Sequence, residues 1–337
     1  MNVLVTGSTG FIGGQLCRAL CARGHTVRAF HRPSSRTGAL AGLAVDHALG
    51  DLTQPETLTT AMQDIEVVFH AAALLGGSEK SGRMYAVTVE GTRSVLAAAL
   101  QAGVRRLVHT SSVAALGVPD FAGRASLPID ENHPWNYRPE RWPYGYAKHL
   151  AEVEVQKAVA QGLDAVIVNP SVVFGARDVY RQSSSIIMQV ARRRLPALTE
   201  GGINAVHIDD VIDGHLAALE RGATGERYIL GGENMTHATL VRRIARIVGA
   251  PAPLLFLPAG LARLLAGPLR LMQAFIEAPV ASNALYLAGY RFYYDTHKAL
   301  VELGLNQPRP VDEAIREAYD WFRERQGDTR PAKDLNR

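Results

Sequence analysis

A chain of 337 residues, with 47% apolar and 20% charged side chains, can bury a large core, and its make-up excludes a disordered or collagen-like protein. The net charge of +4 is spread out with no basic stripe interleaved with aromatics, which disfavours nucleic acid as a partner; the densest cluster, Arg192 to Arg194, reads as a solvated helix face. Cys17 and Cys21, the only cysteines, lie four apart on a predicted helix, which argues against a disulfide framework or any metal site and favours reduced thiols in a cytoplasmic protein.

The chain opens on "MNVLVTG", without a basic region or a cleavable apolar segment, so no secretory signal is expected. Short β-branched runs then alternate with helical patterns. The runs are "NVLVTG", "HTVRAF", "AVDHALGD", "EVVFHAAA", "RRLVHTSS" and "DAVIVNPS"; helical spacing marks Phe11 to Arg23 and Tyr85 to Ala102. Several of the strands are continuously apolar, as a sheet covered on both faces requires. The β-α-β-α order predicts an α/β fold: a Rossmann doubly wound parallel sheet with helices on both faces, and a smaller, partly interwoven C-terminal substrate domain.

The expected division is a dinucleotide-binding domain over residues 1–174, to which chain around 204–232 returns, a mainly substrate-binding part over 175–325, and a loose tail over 326–337. Shorter strands such as "RYILGG" belong to the irregular second half. There the stretch "LLFLPAGLARLLAGPLRLMQAF" comes nearest to a membrane span, but Arg263 and Arg270 interrupt it and Gly267-Pro268 is expected to break any helix. It reads as packing in the second domain, with a membrane-surface role as the alternative.

"TGSTGFIGG" follows the first strand and opens the first helix. Gly7, Gly10 and Gly13 suit a tight turn, close approach to a pyrophosphate and close helix–strand packing, while the helix N-terminus offers N–H groups to phosphate. A dinucleotide is therefore expected. About 20 residues on, where an NAD enzyme offers a carboxylate to the adenosine ribose, this chain has "FHRPSSR". Arg32, with Arg36 just beyond, suits a 2′-phosphate, so NADP(H) is preferred and NAD(H) remains possible; surface arginines on a loop are the bland alternative.

In "YGYAK", Tyr144 and Lys148 share a helix face, whereas Tyr146 is turned about 200° away from Tyr144. Bringing a tyrosine pKa from near 10 toward neutrality takes about 4 kcal/mol, part of which a nearby ammonium supplies. "HTSS" ends a predicted strand at the ligand-facing edge of the sheet, so Ser112 is the candidate alcohol and Ser111 its local competitor.

With these segments in view, the chain resembles, over nearly its whole length, the extended short-chain dehydrogenases/reductases, also called the NAD-dependent epimerase/dehydratase family. Within that family it is similar to bacterial dihydroflavonol-4-reductase-like and hopanoid-associated sugar epimerase proteins. "TGSTGFIG" resembles the family's TGxxGxxG and "YGYAK" its YxxxK; "GDL", "HAAA", "NPSVVFGARD" and "VHIDDV" are similar to further family segments. The resemblance implies that Tyr144 gives or takes the proton, that Lys148 binds the ribose and modifies the tyrosine, and that Ser112 orients the carbonyl. It further implies cofactor contacts from Gly7, Thr9, Gly10, Phe11, Ile12 and Gly13 at the turn, from Asp51 and Leu52 at the adenine, and from Ala71, Ala72, Ala73, Thr110, Pro170 and Val173 toward the nicotinamide. A homodimer paired through two helices, one carrying the tyrosine, is also implied. Two departures stand out: Thr88 in "TVEGT" replaces a common asparagine that kinks the helix and relays protons, and Asn169 replaces a common arginine.

The expected activity is an NAD(P)-dependent oxidoreductase exchanging a hydride with a small-molecule carbonyl or alcohol, the cofactor carrying the difficult chemistry. A nucleotide-sugar epimerase or dehydratase is the related alternative, with Arg177 and basic residues of the second domain receiving a diphosphate; a non-catalytic redox sensor is the alternative of another class. Trp142, Phe174 and Arg177 are candidate substrate residues. The aromatic loop "ENHPWNYRPERWPYGY" either covers the pocket or is a stiff surface loop. His207 is expected to be a structural hydrogen-bonding residue.

Overall fold

The structure, a computed structural model, describes residues 1–74, 81–120, 127–179, 185–195, 197–252, 255–272 and 282–326. Most of the expected loose tail lies outside them.

Seven strands form one parallel sheet: β1 (Asn2–Thr6), β2 (Thr26–His31), β3 (Val45–Leu49), β4 (Val67–His70), β5 (Arg106–Thr110), β6 (Ala165–Pro170) and β10 (Arg227–Leu230), in the order β10-β6-β5-β4-β1-β2-β3. Alternation along each strand sends Val3, Val5, Val67, Phe69, Val108 and Val166 to one face and Leu4, Val68, Leu107, Ala165 and Ile167 to the other, and both sets are buried. Helices α1 (Phe11–Ala22) and α7 (Ile208–Arg221) cover the first face. The second is covered by α2 (Pro55–Ala61), α4 (Gly91–Gln101) and α5 (Pro143–Ala160). A sheet wet on neither side needs no polar strand positions, which is why these strands read as continuous apolar runs.

The predicted helix from Tyr85 to Ala102 is composite: α3 (Ser81–Tyr85), a π-helical turn over Ala86–Glu90, then α4. The bulge at Thr88 forms without the asparagine whose loss put it in doubt. Thr92 Oγ1 donates to the Thr88 carbonyl at 2.6 Å and accepts from His70 Nε2 at 2.9 Å, tying the turn to the end of β4.

Beyond β6, a second sheet joins β7 (Val172–Phe174) to β9 (Gly202–His207), with β11 (Glu233–Thr236) antiparallel on its other side. Its core packs Phe174 and Met235 against α6 (Ser185–Ala191), α8 (His237–Val248) and α12 (Val311–Gln326). Strands β8 (Leu198–Thr199) and β12 (Phe256–Leu257) pair nearby, and α11 (His297–Glu302) packs against β10. Helix α9 (Ala259–Met272) packs on α10 (Ser282–Tyr286) and corrects an expectation, because it continues through Pro268. The carbonyl that loses its partner belongs to Leu264, which is 73% exposed, so solvent can satisfy it. Among the described residues no helix is long and apolar enough to cross a membrane. Arg192 to Arg194 are exposed, as expected, but occupy the turn after α6 rather than a helix face.

Candidate active site

The glycine-rich turn has the shape the sequence implies. Gly7 has φ +68, and a Cβ there would lie 2.7 Å from the backbone of Ala72, so "HAAA" borders the turn directly. A Cβ on Gly13 would lie 2.2 Å from the Gly7 carbonyl oxygen, so only glycine lets α1 approach this closely. Gly10 caps α1 with no side-chain hydrogen bond, and the first turn holds no acid, which leaves its N–H groups for an anion. Ser8 Oγ donates to the Phe30 carbonyl at 3.1 Å, tying the turn to the end of β2. The shape and the donors fit a dinucleotide pyrophosphate.

Arg32 follows β2 immediately and is exposed. Burial works to raise the Asp51 pKa, but bonds from Thr53 and the charges of Arg32 and Arg83 hold it below the usual carboxylate range. Asp51 is thus electrostatically coupled to Arg32, and Leu52 beside it is buried. Arg36, at the start of a 3-10 turn over Thr37–Leu40, is exposed too.

Across the sheet edge, the end of β5 meets α5. Ser112 stands beside the Tyr144 phenol, and Lys148 Nζ donates to the Thr110 carbonyl at 2.8 Å. Phenol, alcohol and ammonium, expected from separate parts of the chain, are therefore brought together. Tyr144 packs against Met84, Val89 and Ala147, and Gly145 makes the approach possible: a Cβ there would lie 2.8 Å from the Ala114 carbonyl oxygen in the 3-10 turn that Ser112 caps. Gly145 is not among the residues expected at the site; its signal in the sequence is its place between the two tyrosines.

The competition between the serines is decided by packing. Ser111 is buried and its hydroxyl donates to Glu152, whereas Ser112 faces Tyr144. Thr110 is fully engaged, its carbonyl by Lys148 and its hydroxyl by His215 Nε2 at 2.9 Å. His215 Nδ1 donates to the Val211 carbonyl, so Nε2 accepts from the threonine. His70 is held likewise: Nε2 donates to Thr92, and Nδ1 accepts from Thr6 at 2.6 Å.

Electrostatics departs from the simple expectation of a lowered tyrosine. Burial pushes the Tyr144 phenol up to about 12, against the neighbouring Ser112 hydroxyl, and brings Lys148 down to about 8, against the Glu152 carboxylate. At neutral pH the phenol carries its proton.

The remaining candidates divide. Pro170 ends β6 and Val173 is buried in β7. Phe174 is fully buried in the second core, so its side chain offers no surface to a ligand. Arg177, with φ +74, lines a cleft with Gly10, Phe11, Gly14 and Gln15, beside the phosphate turn. Trp142 caps α5; its ring lies 5.4 Å from that of Phe292 and 6.1 Å from that of Trp135, and Tyr137 lies 6.1 Å from Tyr290. The aromatic loop is thus docked on chain 286–292. His207 is structural as expected, its Nδ1 capping α7 by accepting from Asp209 N at 3.0 Å.

Comparison with known proteins agrees with this geometry. Residues 3–231 match the NAD dependent epimerase/dehydratase family. The chain is 37% identical, over 94% of its length and 93% of the relative's, to a Synechocystis protein provisionally named dihydroflavonol 4-reductase. It is 33% identical, over 90% of its length and 91% of the relative's, to the 4-hydroxy-2-methyl-3-oxo-4-farnesyl-3,4-dihydroquinoline-1-oxide ketoreductase of Stigmatella aurantiaca. A solved nucleoside-diphosphate-sugar epimerase from Pseudomonas aeruginosa superposes with a TM-score of 0.80 at 29% identity, covering 96% of this chain and 98% of that one. A Gly-rich turn after β1, a YxxxK helix and a family match across the whole parallel sheet lead to one conclusion: the chain belongs to the NAD dependent epimerase/dehydratase family and is an NAD(P)-dependent oxidoreductase of the extended short-chain type.

Proposed function

We propose that the protein reduces a small-molecule carbonyl, with Tyr144 giving the proton, Ser112 orienting the oxygen and Lys148 binding the ribose. One observation carries this reading: the turn bearing Ser112 packs on the start of α5, setting Ser112 beside the Tyr144 phenol, with Lys148 anchored one helical turn away on the Thr110 carbonyl. A bound nicotinamide supplies the hydride. A phenol that carries its proton at neutral pH can give it to the carbonyl oxygen, the role that reduction requires. Lys148 has two further N–H donors besides the one on Thr110, enough for a ribose. In the opposite direction the phenol must ionise, and the positive charge of an oxidised nicotinamide would favour that.

NADP(H) is the preferred cofactor on the strength of Arg32, with Arg36 beyond it. The aromatic wall around Trp142 supports a flat or partly apolar substrate. A homodimer paired through two helices, one of them α5, follows from the family resemblance, and sedimentation equilibrium tests it. The epimerase alternative draws on the Pseudomonas aeruginosa structure; of the residues it assigned to a diphosphate, Arg177 stands beside the phosphate turn.

The deciding experiment incubates the protein with NADPH or NADH and panels of carbonyl compounds and nucleotide sugars. Stoichiometric cofactor oxidation with a carbonyl is expected. Isomerised sugar with no net change in cofactor would establish the epimerase instead.

A further inference from the structure

We propose that Glu152 and Asn169 are positioning residues that hold the Ser112 hydroxyl on Tyr144. The inference rests on the Ser112–Tyr144 reading above and adds a device that neither residue's place in the sequence reveals.

Three consecutive residues leaving β5 are each gripped at a different atom. Lys148 holds the Thr110 carbonyl at 2.8 Å, Glu152 takes the Ser111 hydroxyl, and Asn169 Nδ2 donates to the Ser112 carbonyl at 3.0 Å. Two of these hands stand one turn apart on α5, and the third comes from β6. Asn169 Nδ2 also donates to Glu152 Oε1 at 2.6 Å, so the amide bridges the carboxylate to the serine strap. Its orientation is fixed by chemistry, since a flipped amide would turn its oxygen toward a carboxylate and a carbonyl.

Glu152 is fully buried: Ser111 and Asn169 donate to one oxygen, and Arg227 Nε, from β10, forms an ion pair with the other at 2.9 Å. A carboxylate so placed is costly unless paired, and here three elements converge on it. The consequence for the site is directional. With Ser111 held inward, Ser112 is turned the other way; its carbonyl is fixed by Asn169, and its hydroxyl accepts from Ala114 N at 3.2 Å, so the backbone that carries the hydroxyl keeps its place beside Tyr144. Orientation of this kind governs rate steeply, because displacing a reacting group by about 1 Å can lower turnover on the order of a hundredfold.

The charged and titratable groups around this point are Lys148 and Tyr144 on α5, His70 from β4, His109 from β5, and Arg227 from β10. Because Glu152 also favours the Lys148 ammonium, a variant that keeps the carboxylate separates position from charge. Asn169→Ser is that variant.

The test needs no substrate. Protein labelled with 3-fluorotyrosine is titrated by 19F NMR, the Tyr144 resonance being assigned by its loss in Tyr144→Phe. Ser112→Ala is expected to raise the Tyr144 pKa by about one to two units, the worth of a hydrogen bond to a phenolate. Asn169→Ser should produce a similar rise on its own and none in the Ser112→Ala background. Glu152→Gln should raise it less in that background than in the wild type. An Asn169→Ser protein that titrates like the wild type, or one whose rise persists without Ser112, overturns the positioning role. If Ser112→Ala itself leaves the titration unchanged, the Ser112–Tyr144 contact fails, and the proposed function with it.

Discussion

Acid should unfold this protein through its histidines before its carboxylates titrate. His215 is fully buried; burial lowers its pKa to about 4, against the bond to the Val211 carbonyl, which works to raise it. In the unfolded chain the ring titrates near 6.5. Between those values the unfolded state binds more protons, so the stabilising contribution of the neutral ring is present at higher pH and is lost as pH falls below about 6.5. The loss runs at about 1.4 kcal/mol per pH unit, giving about 2 kcal/mol between pH 7 and pH 5. Its size does not depend on the folded value so long as that stays below about 4.5. His70, lowered to about 3 by burial with Lys148 adding to the effect, and His109, lowered well below its ordinary value for the same leading reason, each contribute alike. Urea unfolding of wild type and His215→Gln at both pH values is the assay. The variant is expected to lose about 2 kcal/mol less on acidification than the wild type. Equal losses would mean that the ring is not held neutral and would refute the buried-histidine reasoning.

Other perturbations probe the cofactor and the geometry. Arg32→Ala should weaken NADPH binding at least tenfold while leaving NADH within about twofold, the loss of a charge-assisted pair; isothermal titration with both cofactors checks it, and equal weakening removes the assigned phosphate contact. Gly13→Ala, whose methyl carbon would stand 2.2 Å from the Gly7 carbonyl oxygen, should abolish cofactor binding in the same titration. Gly145→Ala would place a Cβ 2.8 Å from the Ala114 carbonyl oxygen and 2.9 Å from the Trp142 ring. It should cost about 1–3 kcal/mol of stability and lower kcat more than it raises KM, because the helix turn bearing Tyr144 is pushed from Ser112; an unchanged kcat would contradict that.

Much of the site was legible because its parts are local. A helix repeat fixes Tyr144 and Lys148 on one face whatever surrounds them, and a glycine turn between strand and helix carries its own geometry. Ser112 could not be separated from Ser111 by sequence, since the choice is made by Glu152, forty residues downstream and on another element. The π-helical turn at Thr88 was unreadable for a similar reason: the bonds that tie it down come from Thr92 and His70, not from the side chain that was missing. Phe174 and Arg177 follow a strand whose direction of exit the sequence does not specify, and they part toward the second core and the phosphate turn. "RYIL" shows the same limit at the level of the fold. Chain around 204–232 was expected to return to the first domain, but that these four residues form its seventh strand is decided by the open edge that β6 offers them.

The proton assignment to Tyr144 bears the most weight, and Tyr144→Phe tests it most directly. Turnover and NADPH binding are measured on the same preparation, using a carbonyl that the wild type reduces. The account predicts a fall in kcat of a hundredfold or more, about what a lost general acid removes, with the cofactor dissociation constant within about twofold of the wild type. Wild-type turnover in the phenylalanine variant would contradict it.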